Sequence, residues 1–167
     1  IGTVVKKAEK AGTENIILTG DKDSLQLISE HTEVYLMKKG ISQTVRMDTE
    51  ELKKEYNLRP EQICDLKGLM GDASDNIPGV AGVGEKTALK LLAEYGDIEN
   101  LYLHAEEIGG KLGEKIRAGQ TSAYLSKELA TINCEVPLEF SWEEMEMKKA
   151  DRKKLIEIYK SLELNNL

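Results

Sequence analysis

The sequence predicts an α/β opening followed by a mainly helical region, and three features of its 167 residues carry that prediction. An apolar helical pattern near the N-terminus runs straight into a short apolar strand, the rhythm of a parallel α/β sheet. From residue 48 onward, apolar residues recur at helical spacing behind recognisable helix starts. A glycine-rich hairpin running from Ile77 to Leu92 joins two of those helices and extends into the second.

Val4, Val5, Ala8 and Ala11 fall near helical spacing and predict a helix over about residues 1–11, ended by Gly12. Asn15-Ile16-Ile17-Leu18-Thr19-Gly20 reads as a short, fully buried strand. A short helix is expected to start at Asp23. Thr32–Met37 and Ile41–Met47 flank Lys39-Gly40 as a β-hairpin. Asp48 and Glu51 match a capping box ahead of Leu52 and Tyr56. Pro60 suits the first turn of a helix carrying Ile63, Leu66, Leu69 and Met70, with Gly71 at its end. Glu85–Tyr95 is a strong helix stopped by Gly96. Further helices are expected at about 98–107, 111–118 and 121–131, and a last amphipathic one from about Asp151 to Leu162. The expected organisation is therefore 1–47, 48–135 and 136–167.

Composition bounds the function. Hydrophobic residues make up 40%, enough for a core, and the 32% charged residues mix both signs, which excludes a disordered chain. No apolar run approaches the ~20 residues of a membrane helix. Cys64 and Cys134 stand far apart, without metal-ligand spacing, so neither a disulfide framework nor a zinc site is expected. A reducing, cytoplasmic setting and no membrane partner fit best. The chain enters a helical pattern at Ile1 without an initiator Met, so it is expected to be cut from a larger protein. The net charge of −7 counts against a dedicated nucleic-acid binder, which usually has a basic footprint. The objection weakens if several acids are metal ligands and phosphate is held by backbone amides.

The hairpin offers such amides. In Gly79-Val80-Ala81-Gly82-Val83-Gly84, glycines permit positive φ or close backbone approach, and Val80 and Val83 can anchor the turn in the core. Gly82, Val83 and Gly84 would then present free N–H groups at the start of the Glu85 helix, a natural phosphate site. Thr87 belongs to the same turn, and Lys86 and Lys90 fall on one helix face beside it. Such contacts give affinity and register without reading bases. The plainer use of a Gly-rich turn is simply to join helices. Neither a dinucleotide fingerprint, which needs a preceding strand, nor a phosphate-binding P-loop fits, because Glu85 stands where the P-loop has lysine.

Two acidic clusters precede this element. Asp21 and Asp23 follow the first strand, where sites form in open α/β sheets. Asp72 and Asp75 can share one side of a turn. Four carboxylates on two turns suit a hard ion such as Mg2+ or Mn2+. Plainer uses exist here too: Asp23 can cap a helix, and Asp72 and Asp75 can close Asx turns. An EF-hand is excluded by Gln26 and Thr32 at its sixth and twelfth positions. His31 and His104 are expected at the surface. One Trp and one Phe argue against a base-stacking single-strand binder.

Thr19-Gly20-Asp21-Lys22-Asp23-Ser24-Leu25-Gln26-Leu27, then Leu69-Met70-Gly71-Asp72-Ala73-Ser74-Asp75-Asn76-Ile77-Pro78-Gly79-Val80, then Gly82-Val83-Gly84-Glu85-Lys86-Thr87-Ala88 resemble the 5′ nuclease domains of bacterial DNA polymerases I, within the flap-endonuclease family. The resemblance implies part of a Rossmann-like, PIN-like nuclease sheet followed by a helical domain with a helix-hairpin-helix motif. It implies 5′→3′ exonuclease and flap cutting for primer removal and repair. Asp21, Asp23, Asp72 and Asp75 match carboxylates of a two-metal site, and the hairpin matches an element that grips duplex DNA, with K+ held by its carbonyls. It also implies further metal carboxylates upstream of Ile1, and partners in that upstream nuclease segment and in the polymerase of the same protein, with the whole a monomer. Alone, this chain is then expected to be weak or inactive as an enzyme. The alternative is a non-catalytic module that binds the duplex backbone. A phosphatase-like or signalling domain using Asp21 and Asp23 is a third reading, in which the hairpin is mere packing.

Overall fold

A computed structural model of the protein describes residues 1–38 and 43–164. Its sheet has three strands: β1 (Asn15–Thr19), β2 (Thr32–Met37) and β3 (Thr44–Met47), in the order β1-β2-β3. β1 runs parallel to β2 with Ile17 opposite Val34, and β3 returns antiparallel with Val45 opposite Leu36. The expected turn at Lys39-Gly40, and Ile41 with it, lie outside the described residues. Thr32, Val34 and Leu36 alternate into the core, the period-2 pattern of a strand.

β1 departs from expectation. Only Ile17 of its apolar run is buried; Ile16 and Leu18 are 68% and 57% exposed. The reason is geometric. Side chains alternate between the two faces of a strand, and only the face of Ile17 joins the core that contains Val5 of the helix α1 (Gly2–Lys10). An uninterrupted apolar run in the sequence cannot reveal that one face lacks a cover.

The first helix is fastened to the sheet through Glu9. Its carboxylate accepts hydrogen bonds from Ser29 Oγ and from Thr32 Oγ1 at 2.6 Å, and it pairs with Lys6 at 2.8 Å. Burial disfavours the charge, but these donors prevail and hold the Glu9 pKa at about 2. After β1 the chain makes a 3-10 turn, Lys22–Leu27, that buries Leu25 and Leu27. Its cap is Asp21, which accepts from Asp23 N–H at 2.8 Å, so the capping role considered for Asp23 falls to Asp21.

The helical part begins with α2 (Thr49–Tyr56), where Asp48 accepts from Glu51 N–H at 2.9 Å. The reciprocal half of the expected capping box is not made: the Glu51 carboxylate turns to Lys54, one turn on, at 2.8 Å. A 3-10 turn at Pro60–Gln62 leads into α3 (Ile63–Met70). Then follow α4 (Glu85–Tyr95), α5 (Ile98–Leu103), α6 (Gly110–Ala118) and α7 (Gln120–Ala130). The helix expected over 98–107 breaks at His104 into α5 and a 3-10 turn, Ala105–Glu107. His104 itself is half-buried rather than at the surface, and its ring pairs with the Asn100 carbonyl.

α3 is the hub. Gly68 lets α7 approach so closely that a Cβ there would lie 3.1 Å from the Ala123 carbonyl. Asp65 of α3 is buried, accepts from Ile98 N–H and pairs with Lys127 of α7 at 2.7 Å; Lys127 also holds Glu99. Burial pushes the Asp65 carboxyl up, against the pull of Lys127. Burial likewise works against the Lys127 charge, yet its two carboxylates hold its pKa well above the ordinary lysine value.

Ile1–Val136 forms one compact unit, and the expected boundary between residues 47 and 48 falls inside it: Val34 and Leu36 share a continuous core with Leu66, Leu69 and Leu101. Pro137–Leu167 forms a second unit, with α8 (Trp142–Met145) capped by Ser141 and α9 (Arg152–Ser161) capped by Asp151. Among the described residues no helix is long and apolar enough to cross a membrane.

Glu9→Gln is expected to lower unfolding free energy at neutral pH by about 1–2 kcal/mol, since charge-assisted bonds to a mostly buried carboxylate are lost. The Glu9 contribution is fully present above its ordinary pKa of 4.5 and fades as pH falls toward about 2. Urea unfolding across that window should show a flatter acid limb for the variant than for the native chain.

Candidate functional site

The loop after β1 and the loop after α3 meet. Gly20, Asp21, Lys22, Lys67, Asp72, Ser74 and Asp75 line one open cavity of about 500 Å3. Three of the four aspartates singled out by sequence therefore share a space. Asp23 is not in its lining but joins through Lys67, whose Nζ lies 2.8 Å from Asp23 Oδ1 and also contacts Asp72 Oδ2.

Asp72 sits at the mouth of a closed loop. Its N–H donates to Ile77 O at 2.8 Å and its carbonyl accepts from Ile77 N–H at 2.9 Å. Its Oδ1 accepts from Ser74 N–H at 2.8 Å and from the Ser74 hydroxyl. Lys67 first, then Ser74, hold this carboxyl far below the usual carboxylate range. The Asx-turn use of Asp72 is thus real, and it leaves Asp72 ionised and facing the cavity.

Lys67 was not anticipated. Its sequence signal was a charge set among Ile63, Leu66, Leu69 and Met70, but a lone residue does not announce its partner. Its side chain is 11% exposed. Among the described residues no three acidic, His or Cys groups converge as a ready-made cation site. The donors nonetheless fit a hard divalent ion: they are carboxylate oxygens, and the ammonium of Lys67 already stands in as positive charge between two of them.

The hairpin continues directly from this loop. Gly71 and Gly79 both have positive φ, 74° and 62°, and a Cβ on Gly79 would lie 2.2 Å from Gly71 N. α7 clamps the crossing: Gly79 N–H donates to Ser126 Oγ at 2.9 Å, and Ser122 Oγ donates to Gly79 O at 2.6 Å. Val80 N–H donates to Leu69 O at 2.8 Å, and Val80 and Val83 are buried, as anchoring requires.

The amides differ in part from expectation. Val83 N–H is occupied, donating to Val80 O at 3.0 Å, because the turn closes on itself there. The N–H groups of Gly84, Glu85 and Lys86 have no acceptor among the described residues, while Thr87 and Ala88 both donate to Gly84 O. Of the three amides expected to be free, only that of Val83 is taken; Gly82 N–H also has no acceptor among the described residues, and Glu85 and Lys86 extend the set. Lys86 and Lys90 are exposed on α4, and Thr87 is half-buried. A further lysine, Lys115 of α6, places Nζ 3.3 Å from Gly82 O. Nothing in the sequence ties Lys115 to the hairpin; the packing of α6 brings it there.

Residues 58–153 match the family described as 5′-3′ exonuclease, C-terminal SAM fold. The chain belongs to this 5′-3′ exonuclease family. Over its full length it is 47% identical to the DNA polymerase I of Bacillus subtilis and 39% identical to that of Caldicellulosiruptor bescii, spanning 19% and 20% of those proteins. The chain thus covers about a fifth of the curated relatives it matches. The phage T5 5′-exonuclease with bound zinc superposes with a TM-score of 0.64 at 19% identity, covering 77% of this chain and 48% of that one. The T5 flap endonuclease in a product complex with DNA and metal ions gives 0.66 at 19%, covering 77% and 47%. These likenesses show the shared fold, a small sheet with helices behind it.

Gly79→Ala should destabilise the chain by at least about 2 kcal/mol, because the new Cβ meets backbone at a positive φ. Gly84→Ala, with φ −100° and open space at its Cβ, should change stability by no more than about 1 kcal/mol. Thermal or urea unfolding of the two variants side by side checks the contrast; equal losses would remove the close crossing from the account.

Proposed function

We propose that this chain supplies carboxylates and the DNA-gripping hairpin of a metal-dependent 5′→3′ exonuclease and flap endonuclease, working within a DNA polymerase I in primer removal and repair. One observation carries the reading. The loop that aims Asp72 and Asp75 into the cavity is locked at Ile77, and the hairpin with its free amides leaves from that lock, so gripped backbone and carboxylates are held in fixed relation.

Gly84, Glu85 and Lys86 N–H groups, at the positive end of α4, would receive a phosphate, with Lys86 and Lys90 beside it. Gly79 and Gly82 shape the turn, Val83 anchors it, and Thr87 closes its first helical turn. Asp21, Asp23, Asp72 and Asp75 would hold Mg2+ or Mn2+. Divalent ions in such a site supply activated water and stabilise the leaving oxygen in phosphodiester hydrolysis. K+ at the hairpin carbonyls belongs to the same reading, although Gly82 O meets Lys115 here. The remaining metal carboxylates, and the polymerase, are assigned to parts of the protein outside these residues. We place the whole in the bacterial cytoplasm as a monomer.

A second reading is a duplex-binding module without catalysis, which the free amides and exposed lysines of the hairpin would serve equally well. Both readings require the hairpin to bind. Lys86→Glu with Lys90→Glu should weaken binding of a 5′-flapped duplex at least about tenfold in fluorescence anisotropy and flatten its salt dependence by about two phosphate contacts. Asp21→Ala should not weaken it. The two readings part over cleavage. In a nuclease domain containing the upstream segment, Asp21→Ala or Asp75→Ala should slow Mg2+-dependent cutting by about 100-fold or more. Unchanged cutting would leave only the binding module.

A further inference from the structure

Two half-buried lysines pair with aspartates in this chain, and their surroundings differ. Lys127 sits between α3, α5 and α7 and holds Asp65 and Glu99, with Asp65 fully inside the helical packing. That group is a strut. Lys67 instead stands at the wall of the open carboxylate cavity. It joins Asp23, from the turn after β1, to Asp72, from the loop after α3. The three side chains are 11%, 17% and 15% exposed.

Burying charge is unfavourable unless it is paired. Without the ammonium, two mostly buried carboxylates would face each other, with Asp21 and Asp75 on the same cavity and Lys22 the other cation in its lining. Positive charge at this point therefore holds the two loops together. A divalent ion bound by Asp72 and Asp23 would do the same task, but coordination needs direct contact with the oxygens that Lys67 now occupies. Both cations cannot hold the same oxygen lone pairs.

We propose that Lys67 is a resident counter-cation of the carboxylate site: its ammonium keeps Asp23 and Asp72 positioned until a divalent ion displaces it. The proposal rests on the reading of the four aspartates as cation ligands. It makes Lys67 a positioning residue and a built-in competitor. The lysine stabilises the chain without metal and, for the same reason, lowers its affinity for metal.

The test is calorimetric titration of Mn2+ alone into the native chain, Lys67→Met, Lys67→Arg and Asp75→Asn. Lys67→Met should bind Mn2+ roughly tenfold or more tightly than the native chain, the scale on which groups around a metal site act. Its melting temperature should fall in EDTA and recover with Mn2+. Lys67→Arg, which keeps the charge, should stay near the native affinity. If Lys67→Met binds no more tightly than the native chain while Asp75→Asn loses binding, displacement is wrong and the cation reading survives. If neither the native chain nor Lys67→Met binds Mn2+, the cation reading fails and displacement with it. Should Lys67→Met not fold, the native chain still decides. Its Lys67 ammonium NMR signal should be slowly exchanging in EDTA and vanish on Mg2+ addition; persistence at saturating Mg2+ overturns the proposal.

Discussion

Where Gly79 crosses Gly71 there is no room for a side chain, since a Cβ would stand 2.2 Å from the Gly71 nitrogen. That contact sets the direction in which the chain leaves α3, closes the Asp72–Ile77 loop over the cavity and starts the hairpin at a fixed angle. Two serines on α7 hold the crossing by hydrogen bonds to both polar groups of Gly79, so the turn needs no water to satisfy it. α7 is in turn bound to α3 through Gly68 and the Asp65–Lys127 pair. The position of the loop that carries Asp72 and Asp75 thus depends on a helix distant in sequence but packed directly on the crossing.

An acidic chain proposed to handle a polyanion needs its charges sorted in space. Here the sorting is visible. Acids gather at the cavity, where Lys67 compensates Asp72 of its lining and Asp23 beside it. The hairpin presents amides and lysines, with Lys115 arriving from α6. A net charge of −7 describes the sum of these regions and says little about either one. The sequence objection to nucleic-acid binding was an objection to the average.

Much of the architecture could be read before any coordinates. The cap at Asp48, the helix start near Asp151, the stops at Gly71 and Gly96, and the apolar spacing of α3 and α4 are local signals with local causes, and the helices form where these place them. The glycine pattern of the hairpin was legible for the same reason: positive φ is a property of one residue and its neighbours. The buried anchors Val80 and Val83 followed from it. The error over β1 has a remote cause. Ile16 and Leu18 read as core because a run of apolar residues does not state whether both faces of its strand are covered. The occupied amide of Val83 depends on how tightly the turn closes.

By itself, then, the sequence determined the order and limits of most elements, the two acidic clusters and the turn that follows them, because backbone preference and capping act within a few residues. Tertiary structure decided which of those residues share a space. It brought Asp21 to Asp72 and Asp75, set Lys67 between Asp23 and Asp72, and carried Ser122, Ser126 and Lys115 to a hairpin far from them in sequence. Ion pairs and close packing join atoms through space, and no spacing along the chain encodes which distant partner a buried charge will meet.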